Sequence, residues 1–272
     1  MAQTTADGLG VVAESWTGVR DASVTKFMAF SLAYYDRVIA LDGEITLLQS
    51  IDELFLLPTT PMAMPRAYLS YSRPWPLSSV LMVLKPDVKA FEHFQRQLEG
   101  GGNDMLVRAH RYDMELVNER FEDSALVLPH RPYALISGEF RRQDHTAYLG
   151  SASETWDAEE VFKEAKLVQF SDSPLPPPHF LWAPKALEEM QPDCGGRHKE
   201  TCAERRIWKG LYDDFRHRRR DVCKLLSVPA PTWRGLEQER QMAPGGGGGG
   251  AWEARNQTGP AASATPSATL AL

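Results

Sequence analysis

Tyr35-Asp36-Arg37-Val38-Ile39-Ala40-Leu41-Asp42-Gly43-Glu44 is the stretch that decides the fold, because an apolar run ends in two acidic residues. The run from Arg37 to Leu41 is short and uninterrupted. Such a run is typical of a strand buried on both faces of a parallel sheet. The sequence therefore predicts a buried strand with Asp42 and Glu44 at its carboxyl end.

Helical spacing precedes this strand. Phe27, Phe30 and Tyr34 recur at intervals that place them on one buried face, and Asp21 or Ser23 can cap the segment. We expect a helix from this cap through Phe30 to Tyr34.

Further apolar runs continue the pattern along the chain. Four of them predict strands: Met62–Met64, Val80–Leu84, Ala125–Leu128 and Lys166–Phe170. Helical patterns lie between and after them, over 86–98, where Phe91, Phe94 and Leu98 share a face, and over 205–226. Strands alternating with helices predict an α/β fold.

Composition divides the chain into three parts. Residues 1–20 are small and polar without a clear period, so we expect a disordered lead-in. Residues 21–228 carry the periodic segments and form the predicted folded domain. Residues 229–272 are rich in Pro, Gly, Ala and Ser and cannot bury enough apolar area to offset their ordering entropy, so we expect a disordered tail.

Bulk properties exclude some classes of function. The chain has 272 residues, 43% of them hydrophobic, and a formal net charge of -6. An acidic chain argues against a nucleic-acid binder, since such partners select a basic surface. No apolar stretch is long enough to span a membrane, and the first residues lack the basic start and apolar run of a signal peptide. The three cysteines match no zinc-binding spacing and leave at least one thiol over.

The two acidic residues at the strand end suggest a metal site. If the extended conformation persists, a period of two points Asp42 and Glu44 to the same side. Ligands of open α/β sheets bind beyond the carboxyl ends of the strands, and oxygen ligands there suit Mg²⁺ or Mn²⁺ better than zinc. The triplet alone is more typical of a surface turn, and Gly43 favours that alternative further.

Several ordered segments together resemble the family 8 (glycogenin-like) glycosyltransferases, and the fungal N-acetylglucosaminyltransferases most of all. They run from about residue 21 to about residue 226 and include Thr25-Lys26-Phe27, Tyr35 to Asp42, Asp52-Glu53-Leu54-Phe55, Tyr112 to Asn118, Leu128 to Tyr133, Gly138 to Arg141 and Gln169 to Asp172.

The resemblance implies a glycosyltransferase-A type fold, a Rossmann-like mixed sheet flanked by helices. It implies a hexosyltransferase or N-acetylglucosaminyltransferase that moves glucose or GlcNAc from a UDP-sugar to a glycan or protein acceptor, with retention and with Mn²⁺ or Mg²⁺ as cofactor. Family members work in the Golgi lumen. This chain, if complete as written, lacks a signal or anchor and would be cytoplasmic.

The resemblance also assigns residues by position. Asp42 and Glu44 would bind the metal, and Lys26 together with Asp42 would meet the nucleotide-sugar. The donor-sugar region would be formed by Asp113, Glu115 and Asn118. Alternatives stay open for two of these: Lys26 as a solvated helix lysine and Asp113 as an acid favoured by a helix N-terminus.

Three departures from the family pattern point to a second hypothesis. Gln169 stands where the family's metal-binding histidine is expected, and Pro177 stands where a phosphate-binding lysine is expected. The family's first βαβ unit, which grips uracil and ribose, has no counterpart here, so the chain resembles an N-terminally truncated or divergent member. These changes weaken the expected activity. The alternative is a non-catalytic homologue that binds a glycan or a protein.

Overall fold

The structure, a computed structural model, describes residues 22–70, 74–108, 113–172, 175, 178–195 and 202–229. The predicted lead-in and all of the predicted tail except Pro229 lie outside these residues, as do Tyr112 and Pro177. Within the described ranges the predicted α/β class is confirmed, with mixed sheets flanked by helices.

Nine strands occur in the described residues: β1 Val38–Leu41, β2 Ile45–Leu47, β3 Met62–Pro65, β4 Leu81–Leu84, β5 Leu126–Leu128, β6 Leu135–Ile136, β7 Leu167–Gln169, β8 Phe180–Leu181 and β9 Val228–Pro229. The predicted strand runs all correspond to strands of the structure, to within a residue or two at each end. They form a four-stranded sheet of order β1-β4-β3-β5, a three-stranded sheet of order β2-β7-β6 and the pair β8-β9.

The helices of the described residues comprise seven α-helices: α1 Val88–Arg108, α2 Asp113–Phe121, α3 His130–Tyr133, α4 Thr146–Leu149, α5 Ala158–Glu164, α6 Pro184–Met190 and α7 Ala203–Asp221. Three 3₁₀ helices span Ala22–Ser31, Asp52–Leu56 and Ser137–Arg141.

The prediction for the decisive strand was wrong in two respects, the direction of pairing and full burial. β1 pairs antiparallel with β4, and Val38 lies opposite Leu84. All four residues of β1 are only partly buried, because the strand lies at one end of its sheet as the described residues show it. A short apolar run predicts that a strand is buried, but it does not predict whether the strand pairs parallel or antiparallel. β4, which lies between β1 and β3, is buried throughout, as is β3.

Aromatic packing joins the first 3₁₀ helix to α1 and α2. Phe27 stacks on Phe94 with ring centroids 4.1 Å apart, and Phe30 stacks on Phe121 at 5.8 Å. Phe27, Phe30 and Phe94 are completely buried, as predicted. Tyr34 was wrongly placed on the same face: the helix ends at Ser31, and Tyr34 is 92% exposed.

A disulfide joins the loop after α6 to the start of α7. Cys194 and Cys202 are bonded, with Cα atoms 5.7 Å apart, and Cys223 is a free, exposed thiol. The side chain of Arg205 reinforces the junction by donating from Nε and Nη2 to the carbonyl of Pro192. Of the described helices, none is both long enough and apolar enough to cross a membrane.

Candidate functional site

Asp42, Gly43 and Glu44 form the turn between β1 and β2. Extended structure ends at Leu41, so the two acids face each other across a turn rather than along a strand. Glu44 is exposed, yet partial desolvation of its carboxylate and then the negative charge of Asp42 raise its pKa. The two carboxylates therefore lie close enough to repel each other, which gives this turn an excess of negative potential.

Lys26 brings two distant carboxylates together. Its Nζ lies 2.7 Å from Oδ1 of Asp42 and 2.6 Å from Oδ2 of Asp113, and it donates to the carbonyl oxygen of Ser79 at 2.8 Å. The ammonium group thus donates hydrogen bonds to Asp42 and Ser79 and forms an ion pair with Asp113. The lysine side chain is only 8% exposed. The alternative of a solvated helix lysine is therefore wrong, because the ammonium group is buried in an ion-pair network.

Gln169 contacts the second carboxylate oxygen of Asp42. It ends β7, opposite Ile45 of β2, and its Nε2 donates to Oδ2 of Asp42 at 3.0 Å. Lys26 and Gln169 thus occupy different oxygens of one carboxylate. The structure brings into contact the side chains of Asp42 and Gln169, both of which were named from the sequence. We refer below to Lys26, Asp42, Asp113 and Gln169 as the strand-end cluster.

Oxygen ligands of the kind that a hard divalent cation takes lie at this turn. Asp42 and Glu44 supply carboxylate oxygens, and Gln169 can supply its amide oxygen by turning its side-chain amide over. Within the described ranges, no group of three or more His, Cys, Asp or Glu side chains is placed to hold a metal ion. With all groups ionised, Asp42, Glu44 and Asp113 against Lys26 leave two negative charges, which a divalent cation would balance.

The three residues expected near the donor sugar have separate surroundings. Asp113 is the first residue of α2 and lies buried against Lys26. Glu115 is exposed on the same helix. Asn118 is buried, and its amide bonds to the N–H and carbonyl of Leu77 and to the carbonyl of Met114. Asn118 therefore braces the segment before β4, and Asp113 is the member that reaches the strand-end cluster.

Sequence reasoning missed two contributors to this region. The carbonyl of Ser79 completes the surroundings of Lys26, and no sequence pattern marks a backbone acceptor. The buried carboxylate of Asp172, three residues beyond Gln169, has side-chain partners on two other elements.

His179 packs against Phe180, and burial, followed by the charge of Arg219, lowers its pKa, as for an ordinary partly buried histidine.

Sequence comparison finds relatives that share one name. The chain is 48% identical over 223 residues to Glucose N-acetyltransferase 1 of Aspergillus fumigatus, a match that covers 79% of this chain and 57% of that protein. It is 43% identical over 224 residues to the protein of the same name from Gibberella zeae, covering 81% of this chain and 47% of that protein. The chain therefore spans about half the length of the curated relatives that it matches. No protein-family model matches the chain.

Comparison with solved structures finds more distant likeness. The glycosyltransferase GlyE of Streptococcus pneumoniae aligns with a TM-score of 0.42 and 13% identity, covering 72% of this chain and 45% of GlyE. The galactosyltransferase LgtC, solved with donor and acceptor sugar analogues, aligns with a TM-score of 0.38 and 12% identity, covering 82% of this chain and 76% of LgtC. Likeness at this level does not establish a common fold.

Proposed function

We propose that the chain is the acid-bearing part of a glycosyltransferase-A type enzyme. The enzyme transfers glucose or N-acetylglucosamine from a UDP-sugar, with retention, to a glycan or protein acceptor. The observation that carries the proposal is the strand-end cluster, in which Asp42 and Asp113 meet at one lysine in a chain 48% identical to Glucose N-acetyltransferase 1. The name of these relatives, Glucose N-acetyltransferase 1, mentions glucose, which supports a hexose as the transferred group.

Asp42, Glu44 and Gln169 are the residues that would hold a divalent cation. Bound there, Mn²⁺ or Mg²⁺ supplies positive charge that neutralises the diphosphate leaving group. Lys26 fixes the carboxylates of Asp42 and Asp113 in place, so neither has to reorganise when a donor binds. Asp113 offers a carboxylate acceptor for hydroxyl groups of the transferred sugar.

A second candidate function rests on the hydrogen bonds and ion pairs that the cluster forms within the protein. Each oxygen of Asp42 accepts a hydrogen bond within the protein, and Lys26 donates to Asp42 and Ser79 and forms an ion pair with Asp113. Gln169 is neutral and a weaker metal ligand than the histidine that the family pattern leads us to expect. This arrangement favours a non-catalytic homologue that binds a glycan or a protein.

Calorimetric titration of the purified full chain with UDP, with and without Mn²⁺, separates the two candidates. An enzyme is expected to bind UDP in a manganese-dependent manner, and Gln169→His is expected to tighten binding by about tenfold or more, because it restores an imidazole ligand. Gln191→His is the matched control. Gln191 lies outside the cluster, and its side-chain amide donates to the carbonyl of Glu188.

Absence of UDP binding at millimolar Mn²⁺ in both the wild-type chain and Gln169→His would exclude the enzyme and leave the non-catalytic homologue. Equal effects of Gln169→His and the control would show that the added imidazole acts nonspecifically. Where UDP binds, a comparison of UDP-glucose with UDP-N-acetylglucosamine identifies the transferred sugar by the larger gain in affinity over UDP alone.

A further inference from the structure

Residues 170–172 follow β7 and are referred to below as the loop after β7. They are held by a buried polar network around Asp172. The carboxylate of Asp172 is fully buried and accepts hydrogen bonds from three side chains. Tyr212 of α7 donates to Oδ2 at 2.5 Å, Ser137 donates to the same oxygen, and Nη1 of Arg141 donates to Oδ1 at 3.0 Å. Two separate elements, α7 and the 3₁₀ helix Ser137–Arg141, thus converge on one residue of the loop.

The backbone of the loop is fixed as closely as its side chain. Ser137 Oγ accepts a hydrogen bond from the N–H of Ser171 at 3.0 Å. Gly138 lies so close that a Cβ there would stand 2.5 Å from the carbonyl oxygen of Ser171. The loop therefore has one backbone path against the 3₁₀ helix, and a side chain at Gly138 would close that path.

A network of this kind contributes more to geometry than to stability. Burying a carboxylate is costly even when it is paired, and apolar residues of similar volume often stabilise a core better. Burial, followed by the charge of Asp172, raises the pKa of Tyr212 far above its ordinary value, so the phenol stays protonated and remains a donor. The directional hydrogen bond from the phenol of Tyr212 to Asp172 therefore persists and holds the loop in one register.

The strand that precedes this loop carries Gln169 into the strand-end cluster. β6 and β7 run parallel and end together, with Ile136 opposite Gln169. On its other side Gln169 pairs with Ile45, and its amide reaches Asp42 at 3.0 Å. Two residues separate Gln169 from Asp172, whose carboxylate is fixed.

We infer that Asp172 is a positioning residue, which acts through the loop after β7 to hold the side chain of Gln169 against Asp42. This inference deepens the proposed function and rests on it for its effect on donor binding. The link between Asp172 and Gln169 is a property of the protein alone and can be measured without any ligand.

The test uses two substitutions that change the side-chain volume little. Tyr212→Phe removes one hydrogen bond to Asp172, and Asp172→Asn removes the negative charge. The ligand-free measurement is the NMR signal of the side-chain amide of Gln169, identified by its disappearance in Gln169→Glu. The ligand measurement is the affinity for UDP in the presence of Mn²⁺. Tyr133→Phe is the matched control, because it removes a phenol that donates to Glu53 at 2.6 Å, outside the network.

We expect the Gln169 amide signal to shift in Tyr212→Phe and Asp172→Asn, the affinity for UDP to fall by roughly tenfold, and both to stay unchanged in the control. An unshifted signal in a folded Tyr212→Phe overturns the inference. A shifted signal with wild-type UDP affinity overturns the effect on donor binding, because the position of Gln169 would then not matter for that step. If the wild-type chain binds no UDP, the proposed function fails, while a shifted signal still supports the positioning of Gln169 by Asp172.

Discussion

Removal of the positive charge of Lys26 is expected to destabilise the chain more than almost any other single charge change. Lys26→Met keeps the length of the side chain and its apolar contacts but removes the ammonium group. Asp113, whose side chain is 9% exposed, and Asp42, at 23%, would then both lose the ammonium group that pairs with them. Breaking a buried ion pair from one side costs about 3–5 kcal/mol, because the remaining charge is left uncompensated.

Urea unfolding followed by tryptophan fluorescence measures this loss. For a slope of about 2 kcal/mol/M, a loss of about 4 kcal/mol lowers the midpoint by about 2 M. The deficit should shrink as the pH falls, because protonation of the carboxylates removes their repulsion. Adding Asp113→Asn to Lys26→Met should recover part of the loss for the same reason.

Lys163→Met is the matched control. Lys163 pairs with Glu160 at 3.8 Å, and the two side chains are 78% and 71% exposed, so we expect a change below about 0.5 kcal/mol. A Lys26→Met chain within about 1 kcal/mol of wild type would refute the reasoning, since a buried charge left unpaired has to cost more than that. A deficit that is the same at acidic and neutral pH would show that packing, and not charge, is responsible.

Three further changes test other parts of the structure. Gly138→Ala places a Cβ 2.5 Å from the Ser171 carbonyl oxygen and should cost about 1–3 kcal/mol, whereas Gly210→Ala, in open space on α7, should stabilise by about 0.5–1 kcal/mol in the same unfolding assay. Cys202→Ser should lower the free energy of unfolding by about 2–3 kcal/mol through loss of the disulfide, and an equal effect of Cys223→Ser would contradict this. Burial lowers the pKa of His130 from 6.5, so the unfolded chain binds the proton first and stability falls as the pH drops below about 6.5. In His130→Gln the urea midpoint should depend less steeply on pH there, and an unchanged slope would show that this histidine does not contribute.

Much of the fold could be predicted because burial leaves a clear mark on composition. The apolar runs that became β1, β3, β4, β5 and β7 were all found, since their neighbours in sequence are polar or turn-forming. The direction of β1 was missed because a four-residue apolar run looks the same in parallel and antiparallel sheets. Tyr34 was misplaced because its spacing continues a period that the chain abandons after Ser31.

The candidate site was predictable to the level of which residues meet, but not how they meet. Asp42, Lys26, Asp113 and Gln169 were all named from sequence, and the structure brings them into contact. That Lys26 would bridge two carboxylates depends on the packing of the first 3₁₀ helix against α2, which no local pattern encodes. The bond of Cys194 to Cys202, and the network around Asp172, likewise depend on where α7 docks.

The position of the disulfide at the start of α7 has a consequence for how the chain avoids a wrong covalent pairing. Three cysteines allow three possible single bonds, of which one is native. Cys194 and Cys202 are eight residues apart, whereas Cys202 and Cys223 stand at opposite ends of the 19-residue helix α7. A helix of that length holds its ends about 28 Å apart, several times the Cα separation that a disulfide permits. Once α7 has formed, Cys223 is out of reach of Cys202, so the helix itself excludes one of the two wrong bonds.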